Sequence, residues 1–172
     1  YLDVLTGRVK AGVRVAIVGA GGIGFDVAEY LVHTPVLDPA AFELPPLHGA
    51  FEHSSTLLDP QRWMAERGVD STFSSPGGLR TPSPEPPTRE VWLLQRSPGK
   101  PGAKLGKTTG WIHRAALKAK QVKMLGSVEY LGVDQSGMHI RAEGKEQLLP
   151  VDHVVVCAGQ EPQRELLDGL QA

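Results

Sequence analysis

The sequence predicts an α/β fold: a parallel sheet with flanking helices, plus a small antiparallel β-meander. Three observations carry this. The stretch "VRVAIVGAGGIGFDVAEYLV" reads as strand, glycine turn and helix. Unbroken apolar runs recur in "EVWLLQR" and "DHVVVCAG", the pattern of strands covered on both faces. Between these two, "SVEYLGV", "MHIRAE" and "QLLPV" are short strand-like segments split by the turn signals "DQSG" and "EGKE".

Taken in order, Val13–Val18 is the first strand. Phe25, Ala28, Leu31 and Val32 then recur at helical spacing. From about 34 to 88 the chain is Pro/Gly-rich and holds ten of the fourteen prolines, so we expect an insertion forming a surface flap. Inside it "DPQRWMAERG" reads as a short helix, with Asp59 as cap, Pro60 in the first turn and Gly68 as the stop. Glu90–Arg96 resumes as a buried strand. Thr108–Lys120 reads as a helix with Trp111, Ile112, Ala115, Ala116 and Ala119 towards one side. Val122–Leu125 is a third strand, and Asp152–Gly159 is the last.

The 172 residues suffice for one domain with its own core, so 1–172 is read as a single domain. The start, "YLDVLTG", lacks an initiator Met, and we expect an excised piece of a larger protein. A formal net charge of -1 offers no global attraction to nucleic acid or membrane. No apolar run reaches the roughly 18–20 residues of a spanning helix. The single cysteine, Cys157, forms no internal disulfide and fits a reducing, cytoplasmic location; among valines, it reads as a buried structural thiol. The six histidines show no metal-binding spacing, so no metal site is expected, and His113 reads as a surface residue.

Gly19, Gly21 and Gly24 form G-x-G-x-x-G between a strand and a helix. The first glycine permits the tight turn. The second lets backbone approach a diphosphate, and the third lets helix and strand pack closely. The helix N-terminus adds unpaired N–H groups and a partial positive charge. This is the fingerprint of a Rossmann-like dinucleotide site, built from Gly19, Ala20, Gly21, Gly22, Ile23 and Gly24. In such sites an acid at the end of the second strand grips the adenosine ribose. Here that strand ends in Gln95 and Arg96. A guanidinium there suits a 2′-phosphate, which predicts NADP(H) rather than NAD; direct binding of FAD is less well suited.

The segment "LQRSPGKPGAKLGKTTG" imitates a phosphate loop, but G-x-x-x-x-G-K-[ST] requires glycine at 101 and the residue is Pro101. Its charge is more informative. Arg96, Lys100, Lys104, Lys107, Arg114, Lys118, Lys120 and Lys123 follow one another with no intervening Asp or Glu. Arg96, Lys104 and Lys107 are candidates for the 2′-phosphate. Lys118, Lys120 and Lys123 read as a solvated helix end. Trp63, Trp92 and Trp111 read as packing residues, Asp26 and Glu29 as solvated.

"VAIVGAGGIGFDVAEYL", "LLQR…GKTTGWIHR" and "VVVCAGQEPQREL" together resemble the bacterial NADPH-dependent 2,4-dienoyl-CoA reductases, iron-sulfur flavoproteins built on an old-yellow-enzyme barrel. The resemblance runs over essentially the whole chain. It implies that this is the pyridine-nucleotide domain inserted in a FAD domain, beside a barrel holding FMN and a 4Fe-4S cluster. NADPH would deliver hydride to FAD for eventual reduction of an unsaturated fatty acyl-CoA, as in fatty-acid β-oxidation. "YLDVLTG" would be a strand-linker arriving from the FAD domain and "AGQEP" the linker returning to it. Lys107, Thr108 and Thr109 would lie near the 2′-phosphate on Arg96. Ala158, Gly159 and Gln160 would border the nicotinamide or the flavin domain. The partners implied are the FAD and FMN domains of the same protein, with acyl-CoA at a distance; no catalytic residue falls in this chain. A reading of another class remains open: a non-catalytic dinucleotide sensor whose Pro-rich flap contacts a partner.

Overall fold

A computed structural model describes residues 1–34, 59–161 and 163–165. Residues 35–58 of the expected insertion lie outside the described residues. Four parallel strands form one sheet: β1 (Arg14–Val18), β2 (Glu90–Leu94), β3 (Lys123–Leu125) and β7 (His153–Val156), in the order β3-β2-β1-β7. The meander is a separate antiparallel sheet of β4 (Glu129–Asp134), β5 (Gly137–Ala142) and β6 (Lys145–Leu149). The α/β fold expected from the sequence is the fold observed.

The parallel strands are apolar beyond their first residues because both faces are covered. On one face Val15, Ile17, Val91, Leu93 and Val155 pack against Phe25, Ala28, Leu31 and Val32 of helix α2 (Gly22–His33). On the other, Ala16, Trp92 and Leu94 meet Val128, Met138, Ile140 and Leu149 at the meander. Each such fully buried aliphatic or aromatic side chain contributes about 1.5–3 kcal/mol. Alternate residues of one strand therefore serve two cores.

The N-terminal segment is not an extended linker. Leu2–Leu5 form a single helical turn, α1, closed by backbone bonds onto the Tyr1 carbonyl and by the Thr6 hydroxyl donating to Leu2 O at 2.8 Å. Local bonds win here because no neighbouring strand offers the segment a ladder among the described residues.

The described part of the insertion behaves as its caps predict. Asp59 Oδ1 accepts from Gln61 N at 2.9 Å and begins α3 (Pro60–Glu66), and Gly68, at φ +71°, follows its end. Further on, the Asp70 carboxylate gathers the Thr72 N–H and hydroxyl, the Ser74 hydroxyl and the Ser75 N–H. Both ends of the insertion are pinned at one place. The Thr88 hydroxyl donates to Leu31 O and Thr34 O, and the buried Arg89 guanidinium donates to Gly12 O, Leu31 O and Thr34 O at the C-terminus of α2. A cation there also complements the helix dipole.

Helix α4 (Gly110–Ala119) corrects two expectations. Its inward residues are Gly110 and Leu117, whereas Trp111 is 61% and Ile112 48% exposed. The preceding loop sets this rotation: Leu105 packs where Gly110 would carry a Cβ, and Arg114 Nη1 donates to Gly102 O at 2.8 Å. Lys120, expected in solvent, is buried. Its Nζ lies 3.4 Å from Glu66 Oε1 and donates to Glu85 O at 3.1 Å, fastening the insertion to the domain. Lys123 pairs with Glu90 and sits 4.5 Å over the Trp92 ring, while Lys118 is exposed. Trp92 is buried as expected. Trp63 is 42% exposed beneath the Arg67 guanidinium.

Candidate functional site

The four strands run the same way, so their C-terminal ends share one edge of the sheet. In such sheets ligands bind outside that edge. The glycine turn lies there, directly after β1. Gly19 has φ +111°, a backbone region that favours glycine. Its N–H donates to Leu94 O at 2.9 Å, tying the turn to the end of β2. A Cβ on Gly19 would come within 2.9 Å of the Cys157 backbone at the end of β7. Gly24 faces inward: a Cβ there would overlap the Gly19 carbonyl oxygen and touch Leu93.

Gly21 and Gly22 are different. A Cβ on either would meet nothing within 4 Å, so the backbone is open from outside. Gly21 is the N-cap of α2 and brings no side chain to the first-turn N–H groups. Those groups are left for an external anion. Ala20 is buried and Ile23 packs partly into the core, so both hold the turn in place. Gly19 thus makes the turn and Gly24 the close packing expected of them, while Gly21 has open space at its Cβ position.

Register places the second strand's end beside this turn, with Val18 opposite Leu94. Gln95 and Arg96 follow, and no carboxylate stands at either position. The Gln95 side chain is engaged with the next loop: its Nε2 donates to Ser97 O at 3.1 Å. Gln95 N donates to Leu125 O and Val128 N to Gln95 O, so this strand end is held from the β3 side. Arg96 is exposed. Among the described residues Arg96, Lys100, Lys104 and Lys107 form no ion pair, whereas Arg14, Arg62, Lys120, Lys123 and Arg141 all do. Positive charge at this edge is therefore not neutralised by the described chain.

The loop bearing these lysines is folded onto α2. Gly102, at φ +74°, lies so close to Phe25 that a Cβ would meet the ring at 2.5 Å. Thr108 and Thr109 are exposed, and Thr109 caps α4 without a side-chain hydrogen bond. Ala158, Gly159 and Gln160 are exposed beyond β7, with Ala158 next to Gly19. Cys157 is buried, and burial pushes its thiol pKa up, as befits a packing residue. His113 lies 3.7 Å from Glu29, an ion-pair geometry between α4 and α2 that sequence reading did not anticipate; Asp26 is exposed.

One residue at this edge carries no sequence signal. Tyr130 of β4 reaches across and donates its hydroxyl to Leu94 O at 3.3 Å, the same carbonyl that Gly19 N–H uses. Burial raises its pKa, and Arg96 pulls it the other way.

Among the described residues no group of three or more His, Cys, Asp or Glu is placed to hold a metal ion. No helix among them is long and apolar enough to cross a membrane.

No family model matches the chain. Over 169 residues it is 27% identical to a metal reductase of Desulforamulus reducens, covering 98% of this chain and 22% of that protein. The chain thus spans about a fifth of that relative. Among solved structures it is similar to a 2-naphthoyl-CoA reductase in complex with 2-naphthoyl-CoA, at TM-score 0.56 and 18% identity, covering 98% of this chain and 18% of that one. A NAD-dependent persulfide reductase from A. fulgidus is more distant, at TM-score 0.44 and 18% identity, covering 98% of this chain and 21% of that one.

Proposed function

We propose that this chain is the NADP(H)-binding domain of a longer flavin-linked oxidoreductase of the 2,4-dienoyl-CoA reductase type. The observation that carries the reading is the pairing of an open glycine turn with an unneutralised arginine on one sheet edge. Gly21 and Gly22 leave backbone N–H groups bare where a diphosphate would lie. Arg96 follows the neighbouring strand end, where a ribose-binding acid would otherwise stand. Each charge-assisted hydrogen bond to a 2′-phosphate contributes roughly 1.5–3 kcal/mol.

These residues fit the group. Gly19 to Gly24 would hold the diphosphate, and Arg96 with Lys104 and Lys107 the 2′-phosphate. Thr108 and Thr109 would stand beside it, and Ala158 to Gln160 would border the nicotinamide end. The chemistry a bound NADPH supplies is a hydride for a flavin. The chain's own part is to bind, orient and give preference to the phosphorylated sugar. No residue here is assigned to the substrate.

The type rests on the three sequence blocks, and the likeness to a longer reductase supports the broader oxidoreductase reading. The metal reductase and the 2-naphthoyl-CoA reductase reduce different things by name, a metal and an aromatic acyl-CoA. A shared nucleotide domain feeding different acceptors accounts for both. FAD, FMN and a 4Fe-4S cluster, with their domains, would belong to the rest of the protein; one buried cysteine cannot ligate such a cluster. Calorimetric titration with NADP and NAD tests the reading. Tighter binding of NADP is expected, and equal affinities overturn it.

The second reading is a non-catalytic dinucleotide module, favoured by the exposed Trp111 and Ile112 as a contact face. The two part on one measurement: anaerobic NADPH bleaches a bound flavin in the full-length protein under the first reading and leaves it oxidised under the second.

A further inference from the structure

We infer that Tyr130 is a positioning residue for Arg96, acting through the Leu94 carbonyl to set the preference for a 2′-phosphate; this rests on the dinucleotide reading above. Leu94 O is fixed from two sides. Gly19 N–H reaches it from the glycine turn at 2.9 Å and the Tyr130 hydroxyl from the meander at 3.3 Å. One atom therefore joins the diphosphate turn, the end of β2 and the antiparallel sheet.

Arg96 begins two residues beyond that carbonyl. Its neighbours are anchored: Gln95 by Leu125 O and Val128 N–H, and Ser97 O by Ser127 N–H at 3.2 Å. Arg96 itself is exposed, so its reach depends on where the strand end is held. The tyrosine is aimed by a local irregularity. The β4–β5 pairing slips between Tyr130 and Gly132, and such bulges re-aim side chains next to sites. Tyr130 is half-buried against the second core, and its hydroxyl reaches Leu94 O at the strand end. The guanidinium is near enough to act on that hydroxyl, opposing the effect of burial.

Removal of the hydroxyl leaves Leu94 O with its Gly19 donor and leaves Gln95 and Ser97 with their own bonds, so folding is little affected, while Leu94 O loses its tie to the meander just before Arg96. The test is calorimetric titration of NADP and NAD into wild type, Tyr130→Phe, Arg96→Ala and the double variant, each checked by melting temperature. Tyr130→Phe should keep the wild-type melting temperature and NAD affinity but weaken NADP about 3- to 10-fold, the size of one neutral hydrogen bond. In the Arg96→Ala background it should change neither nucleotide further. An unchanged NADP-to-NAD ratio in Tyr130→Phe, with wild type selective and Arg96→Ala unselective, overturns the positioning role alone. Equal weakening of both nucleotides also overturns it, because the hydroxyl would then serve only the turn. A wild type that binds both nucleotides equally overturns the NADP(H) reading, and this inference with it; a wild type that binds neither overturns the dinucleotide reading itself.

Discussion

A side-chain carbon on Gly24 would overlap the carbonyl oxygen of Gly19. The first turn of α2 is therefore pressed onto the turn that precedes it, and the helix N-terminus is held at the edge of the sheet. Gly21, three residues earlier, has open space where its Cβ would be. One glycine is required by the fold and the other is free to serve a ligand.

Two alanine variants should separate these roles. Gly24→Ala should lower stability by at least about 1–3 kcal/mol, the usual cost of overpacking. Gly21→Ala should cost no more than about 1 kcal/mol, the effect of a poorer N-cap, yet weaken NADP about tenfold or more, roughly 1.4 kcal/mol. Thermal melts and calorimetry on both proteins check this; equal melting temperatures for the two variants would contradict the steric assignment.

Arg96→Ala should weaken NADP about 10- to 100-fold, equivalent to one charge-assisted hydrogen bond. NAD should bind as before. The wild-type preference should also shrink with added salt, because an exposed guanidinium is screened. A salt-independent preference would point to a contact other than Arg96.

The Lys120–Glu66 pair is a stability determinant. Both side chains are close to fully covered, at 7% and 11% exposure. Lys120→Met alone leaves Glu66 with only the more exposed Arg67, 3.9 Å away, and should cost up to the roughly 3–5 kcal/mol of a broken buried pair. The double change with Glu66→Leu should cost less than Lys120→Met alone. Urea denaturation of the single and double variants measures the difference.

Acid should loosen the insertion through Asp70. Hydroxyl and N–H donors from Thr72, Ser74 and Ser75 hold its carboxyl well below the ordinary Asp value of 3.8. A depressed folded-state pKa gives stability that is complete above the unfolded value and lost as pH falls toward the folded one. Asp70→Asn should therefore lower the urea midpoint by a constant amount near neutral pH. The gap from wild type should close as pH falls through about 3 and below. A gap that widens in acid would show the carboxyl to be stabilised in its protonated form.

The sheet and the glycine turn were legible because their causes are local. Apolar runs on Val15–Ile17 and Val91–Leu94 report coverage of both faces, and the spacing of Gly24 from Gly19 answers to a contact between those two residues. The Asp59 cap was readable for the same reason. The face of α4 was not, because the loop packed through Gly102 and Leu105 decides which way Trp111 points. Lys120 could not be read either, since its carboxylate partner lies 54 positions earlier in the chain. Tyr130 was invisible because it binds a main-chain oxygen, which no residue pattern marks.

The meeting of Thr88 and Arg89 with Leu31 O and Thr34 O has a topological result. The excursion between α2 and β2 departs and returns at a single spot, a clasp at its base, and its described part is tied to the domain again through Lys120. With the clasp fastened, lengthening the excursion costs little: each doubling adds only about 0.6 kcal/mol of closure entropy. This junction is thus a port at which a foreign segment can be grafted while the dinucleotide edge keeps its shape, provided the graft supplies a new partner for the ammonium of Lys120.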